Sequence, residues 1–124
     1  DPNILMAIYA ERDGALQGIY KSTNAGANWD QVDDIGSVPF MWWFGKIAID
    51  PLNVSKVFTP GFFLERSMNG GEEFDIVGRD MHVDQHSVFI HPEHTDFVVA
   101  GNDGGIYISE SGGTNFIKKN NQKF

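Results

Sequence analysis

The chain contains no cysteine, so neither disulfide staples nor thiolate chemistry enters any account of it. It also lacks a long hydrophobic run. The longest apolar stretch, VPFMWWFG at residues 38–45, is far too short to cross a bilayer as a helix. Positive charge is scarce: nine Lys and Arg stand against seventeen Asp and Glu, a formal net charge of −8. Without a run of Lys or Arg to follow a phosphate backbone, nucleic acid and anionic membrane surfaces are not expected as partners. The only basic cluster, Lys118, Lys119 and Lys123, reads as a solvated tail. Long runs with apolar residues at 3.6-residue spacing are missing too, which argues against stacked helical repeats. No cofactor is expected.

What is present is an ordinary globular composition over 124 residues, 41% apolar and 21% charged, with 14 glycines that imply many tight turns. It is also a sentence written three times. Each unit opens with a proline corner, Asp1-Pro2, Asp50-Pro51 or His91-Pro92. A β-rich run follows at residues 4–10, 55–61 and 95–101. A second strand then ends in Ser22, Ser67 or Ser109. A glycine-containing turn closes each unit on Trp29, Phe74 or Phe116. The serines lie 45 and 42 residues apart, and the prolines 49 and 41. Periods in the forties built from short strands point to four-stranded propeller blades. The expected fold is all-β and part of a β-propeller, with two to three blades: residues 1–36 a partial blade (strands two to four), 37–79 a complete one, and 80–124 a nearly complete one.

The turns resemble the Asp-box, or BNR repeat, of sialidase-like propellers: Ser-x-Asp-x-Gly, two residues, then Trp or Phe. The positions that carry the resemblance are Ser22, Asn24, Gly26 and Trp29; Ser67, Asn69, Gly71 and Phe74; Ser109, Ser111, Gly113 and Phe116. Every copy departs at the third place, where Asn24, Asn69 and Ser111 replace the aspartate. Asn and Ser also accept hydrogen bonds from nearby N–H groups, so the turn survives the change. The resemblance implies that these boxes join the third strand of a blade to its fourth as structural staples, with the aromatic packing back between sheets. The opening at DPNILMAIYA and the blade count suggest a fragment of a longer polypeptide, whose other blades come from the same chain or from other copies. End blades exposed in isolation would favour oligomers or marginal stability.

Chemistry concentrates in residues 80–94, which hold all four histidines. His82, Asp84 and His86 alternate, so in an extended strand they share one face. That set offers ligands to a divalent metal, yet strand spacing holds them too far apart without a bend, and no metal site is expected. The other reading is a polar cluster at the propeller mouth. Residues 80–109 resemble a block of BNR-repeat, glycosyl-hydrolase-like proteins that leads into Gly101–Gly105, GNDGG. The related xyloglucanases place a catalytic aspartate in an Asp-x-Gly-Gly loop; here the loop reads Asp103-Gly104-Gly105, without the x. By that resemblance Asp103 is the acid/base candidate. Glycosidases generally need a pair; the related enzymes take the second carboxylate from a facing propeller, and within this chain Asp84 is the other catalytic candidate. The bland reading of Asp103 is a turn residue capping its own loop. Sialidase activity is not expected, because Arg12, Arg66 and Arg79 lack the context of an arginine triad.

One blade earlier, PFMWWFG at residues 39–45 occupies the place of DMHVDQH; superposing Pro51 on Pro92 sets Trp43 opposite Asp84 and Gly45 opposite His86. Trp42 and Trp43 either fill the space between blades or stack on sugar rings at the mouth. The candidate ligand-binding residues are therefore His82, His86, Trp42 and Trp43. The expected function is a secreted or cell-surface bacterial propeller that binds polysaccharide or protein as a scaffold. The alternative is a xyloglucanase-like glycoside hydrolase.

Overall fold

Glycine and proline punctuation cuts the chain into short strands that each fold back on the one before. The computed structural model describes residues 1–33 and 40–119. Positions 38 and 39 of the aromatic run, the 36/37 boundary and Lys123 lie outside the described residues. Within these residues eleven strands form three antiparallel meanders, in which neighbours in sequence are neighbours in the sheet. The first comprises β1 (Leu5–Ala10), β2 (Leu16–Ser22) and β3 (Asp30–Asp33). The second comprises β4 (Ala48–Ile49), β5 (Val57–Pro60), β6 (Leu64–Ser67) and β7 (Asp75–Val77). The third comprises β8 (Gln85–Ile90), β9 (Val98–Asn102), β10 (Gly105–Ser109) and β11 (Ile117–Lys118). Among the described residues the one departure from all-β structure is a single helical turn, α1 (Met41–Phe44).

Burial explains the strand sequences. All four residues of β5 are buried, as befits an inner strand covered on both faces. The main core lies between the second and third sheets, where Phe58, Leu64 and Val77 meet Met81, Ile90, Val98, Ala100 and Tyr107.

A meander alternates its turns between two ends, and the repeat assigns each end a different kind of turn. At one end sit the proline corners and the serine–glycine turns. The side chain before each proline accepts N–H groups two and three residues on: Asp1 from Asn3, Asp50 from Leu52 and Asn53, His91 from Glu93 and His94. In the turns, Ser22, Ser67 and Ser109 Oγ each accept the N–H of Gly26, Gly71 or Gly113 at 2.9 Å. These glycines hold φ of 87–95°, where a Cβ is disfavoured. Asn24 and Asn69 Oδ1 and Ser111 Oγ accept the N–H of Asn28, Glu73 and Asn115 at 2.9–3.0 Å, the service an aspartate would give. Trp29 differs from the expected packing. It remains exposed and covers only its own turn, donating its indole N–H to the Gly26 carbonyl at 3.1 Å.

The sheets are latched at this same end. Lys21, just before Ser22, donates to the Gly70 carbonyl of the next sheet at 3.3 Å. Arg66, just before Ser67, donates to the Gly112 carbonyl at 2.9 Å. A buried ion pair adds to the latch: Lys56 Nζ lies 2.7 Å from Asp50 Oδ2 and donates to the Thr95 carbonyl of the third sheet at 3.0 Å.

A candidate saccharide cleft at the opposite end

The remaining turns, β1–β2, β5–β6 and β9–β10, crowd together at the other end with the lead-in segments of the second and third sheets. Here a cleft of about 560 Å³ is lined by Phe40, Trp42, Trp43, Phe44, Phe62, Asp84, His86 and Asp103.

Helix α1 builds one wall. Its periodicity turns Met41 and Phe44 inward, where both are buried, and leaves Trp42 and Trp43 61% and 56% exposed. The sequence alternatives for this run thus divide by residue: Met41 and Phe44 pack inside, while the tryptophans face the cleft. The Met41 N–H donates to the Gly14 carbonyl at 2.8 Å, and Trp42 Nε1 to the Asp13 carbonyl at 3.3 Å. Gly14, at φ 94°, is what allows this approach: a Cβ there would fall 2.2 Å from Trp42 Nε1. Phe40 and Trp42 meet edge to face at 89°, and Trp42 and Trp43 at 82°.

The opposite wall departs from the sequence expectation. Strand β8 begins only at Gln85, so His82 and Asp84 precede it in irregular backbone and the three do not alternate along one strand face. Asp84 adopts the left-handed conformation at φ 64°, and its N–H donates to the Phe62 carbonyl at 3.0 Å. The pairing of β8 with β9 slips between Gln85 and Ser87, making His86 the extra residue of a bulge. Bulges re-aim side chains, and this one carries His86 to the β9–β10 turn. His86 Nε2 lies 2.7 Å from Asp103 Oδ1, and Trp43 Nε1 donates to His86 Nδ1 at 3.1 Å. An indole N–H can only donate, so Nδ1 is unprotonated and the imidazole proton resides on Nε2, donated to Asp103. Phe44 lies nearly parallel to the imidazole, at 21°.

In the same turn Asn102 Oδ1 accepts the Gly104 N–H at 2.9 Å, while Asp103 Oδ1 meets His86. The structure brings Trp42, Trp43, Asp84, His86 and Asp103 to one cleft. His82 is not among the lining residues: it is exposed, and its Nδ1 pairs with the Val83 carbonyl at 2.9 Å. Among the described residues no group of three or more His, Asp or Glu is arranged to hold a metal. Sequence reasoning passed over Phe40, Phe44 and Phe62 as cleft residues, although the first two sit in the quoted aromatic run. It also passed over Gln85 and Asn102, which donate to the His82 carbonyl at 2.5 and 2.9 Å and so shape the lead-in. Gln85 is almost wholly buried, the one signal its polar type could not announce.

No family model matches the chain, and no curated protein matches it. Solved structures do. An ancestral GH74 enzyme is 20% identical, with a TM-score of 0.65, over 94% of this chain and 18% of its own. The GH74 enzyme of Niastella koreensis is 22% identical, with a TM-score of 0.74, over 93% and 20%. The GH74 xyloglucanase of Xanthomonas campestris is 17% identical, with a TM-score of 0.76, over 99% and 22%. These likenesses define the fold: the chain is part of a β-propeller, glycosyl-hydrolase-like in architecture. It spans about a fifth of the length of each of these neighbours.

Proposed function

We propose that the chain belongs to a secreted or cell-surface bacterial propeller of the BNR, or Asp-box, kind, and that the cleft binds saccharide. The observation that carries this reading is the pair of exposed tryptophans beside Asp84, His86 and Asp103. Aromatic faces next to fixed hydrogen-bonding groups suit the apolar face and hydroxyl rim of a pyranose. The test is titration of tryptophan emission and heat with soluble polysaccharides. Binding that weakens at least tenfold in Trp42→Ala and Trp43→Ala supports the reading. Absence of binding, or binding indifferent to both substitutions, refutes it and leaves a protein ligand as the better reading.

The solved neighbours favour a second reading, glycoside hydrolysis, with Asp103 as acid/base and Asp84 as the other carboxylate. The Nε2–H of His86 supports this by orienting the Asp103 carboxylate toward the cleft. Reducing-end release from xyloglucan or another β-glucan, lost in Asp103→Asn with folding intact, decides for the enzyme. No hydrolysis of any of them decides for the binding scaffold.

A further inference from the structure

We infer that the cleft selects saccharides bearing protonated amino groups, such as glucosamine oligomers, over neutral and acidic ones. The inference rests on the saccharide reading of this cleft and adds the charge class of its ligand. Because Trp43 donates to His86 Nδ1, the ring in this arrangement holds a single proton, on Nε2, and carries no charge. The short contact to Asp103 is then a hydrogen bond from a neutral donor and not an ion pair. It orients the carboxylate without cancelling its charge.

Among the described lining residues, two are carboxylates and none is Lys or Arg. Lys46, which follows the helical turn, directs its ammonium at the Trp43 carbonyl at 3.2 Å. Beside the two carboxylates and His86, the remaining five lining side chains are Phe or Trp, and the near-perpendicular packing among them turns ring faces in more than one direction. A sugar ring can lie on one face while an equatorial ammonium meets a second, where the ring quadrupole attracts it. Asp84 and Asp103 add Coulomb attraction that a hydroxyl or acetamido group does not receive, and they repel a uronate. Aromatic faces with uncompensated carboxylates form a cation-selective site.

An exposed ion pair and a partly solvated cation–π contact are each modest, together worth about tenfold in Kd. The probes are four tetrasaccharides: glucosamine, N-acetylglucosamine, glucose and galacturonic acid, each titrated by calorimetry at low salt. The expected order is glucosamine tightest by about tenfold, the two neutral oligomers similar, and galacturonate weakest. The preference should fall below about twofold in 1 M salt, because exposed charges are screened there. It should fall equally in the Asp84→Asn/Asp103→Asn variant, read as the ratio of glucosamine to glucose tetramer affinity, whether or not the substitutions also weaken both. Because the protein is acidic overall, Trp42→Ala is the control for diffuse attraction and should also abolish the preference. Equal binding of glucose and glucosamine tetramers overturns this inference alone. A preference that survives the double carboxylate variant, or that Trp42→Ala leaves intact, also overturns it. Failure of all four to bind overturns the saccharide reading together with it.

Discussion

Replacing Lys56 with methionine tests whether the buried pair with Asp50 latches the second sheet to the third. Lys56 is 6% exposed and Asp50 wholly buried. Methionine keeps the apolar stem of lysine and removes only the ammonium, so packing is largely conserved. Two interactions go: the 2.7 Å contact with Asp50 and the 3.0 Å hydrogen bond to the Thr95 carbonyl. Asp50 would keep the N–H groups of Leu52 and Asn53 at 2.8 and 3.0 Å but lose its counter-charge in a dry site. Breaking a buried pair from one side costs about 3–5 kcal/mol. A domain of this size is stable by about 5–15 kcal/mol, so the loss is a large share of the total.

The pH dependence supplies the sharper check. Burial alone would raise the Asp50 pKa, but the Lys56 hydrogen bond, the Leu52 N–H and further polar contacts outweigh it and hold it below the usual 3.8. A carboxylate whose folded pKa is lowered stabilises above its unfolded value, and that stability disappears as pH falls through the lower folded value. In Lys56→Met the burial contribution is no longer opposed by the ammonium. Asp50 then gains by taking a proton, and the penalty should shrink as pH drops from 7 to about 4.5. Urea-unfolding midpoints followed by tryptophan emission at both pH values, for parent, Lys56→Met and Asp50→Asn/Lys56→Met, give the answer. The double variant should recover most of the loss. A single-variant cost below about 1 kcal/mol, an identical cost at both pH values, or no recovery would refute the argument.

Gly14→Ala should force Trp42 aside and cost about 1–2 kcal/mol for a side chain at φ 94°, with saccharide affinity falling several-fold; unchanged near-ultraviolet dichroism would count against it. Trp43→Phe removes the donor to His86 Nδ1. Long-range ¹H–¹⁵N spectra should show the Nε2–H tautomer alone in the parent and a mixture in the variant, and an Nδ1–H parent would be the contrary result. Asn24→Asp places a charged acceptor where Ser22 and Asn28 already donate, and should raise stability by up to about 1 kcal/mol. Ser67→Ala strips the buried Gly71 N–H of its acceptor and should cost about 1–3 kcal/mol; a neutral melting curve would show that solvent replaces the bond.

The strands were legible because the signals that mark them are local. Pro51 and Pro92 open turns, Gly71 and Gly113 close them, and the β-branched and aromatic runs between can only alternate or bury. The cleft was half legible. Trp42, Trp43, Asp84, His86 and Asp103 stood out by residue type, yet the alternation that seemed to join His82 to His86 failed. Alternation predicts a shared face only if the strand extends through it, and here pairing with β9 starts at Gln85 and immediately bulges. The bulge depends on which backbone lies opposite, a long-range fact that residue spacing does not contain. The same holds for α1. MWWF has the apolar character of an inner strand, and it coils because Met41 finds the Gly14 carbonyl of a different sheet.

The two ends of the sheets obey different rules, and the contrast bears on where function lies. At the end with the proline corners and serine–glycine turns, turn after turn satisfies its own N–H groups with its own side chains, and Asn or Ser serves at the third position of the turn because either one accepts. At the cleft end the local rules are broken. Two of the three left-handed non-glycine residues among the described residues, Phe40 and Asp84, line the cleft, beside the bulged His86 and the helical turn. Each such departure costs on the order of 1–3 kcal/mol that the turn alone does not return. Ordinary folding would replace Phe40 and Asp84 with glycine and bury Trp42 and Trp43. Their occurrence together, around a hydrogen-bonded histidine and carboxylate, fits the proposed saccharide site better than a purely structural turn.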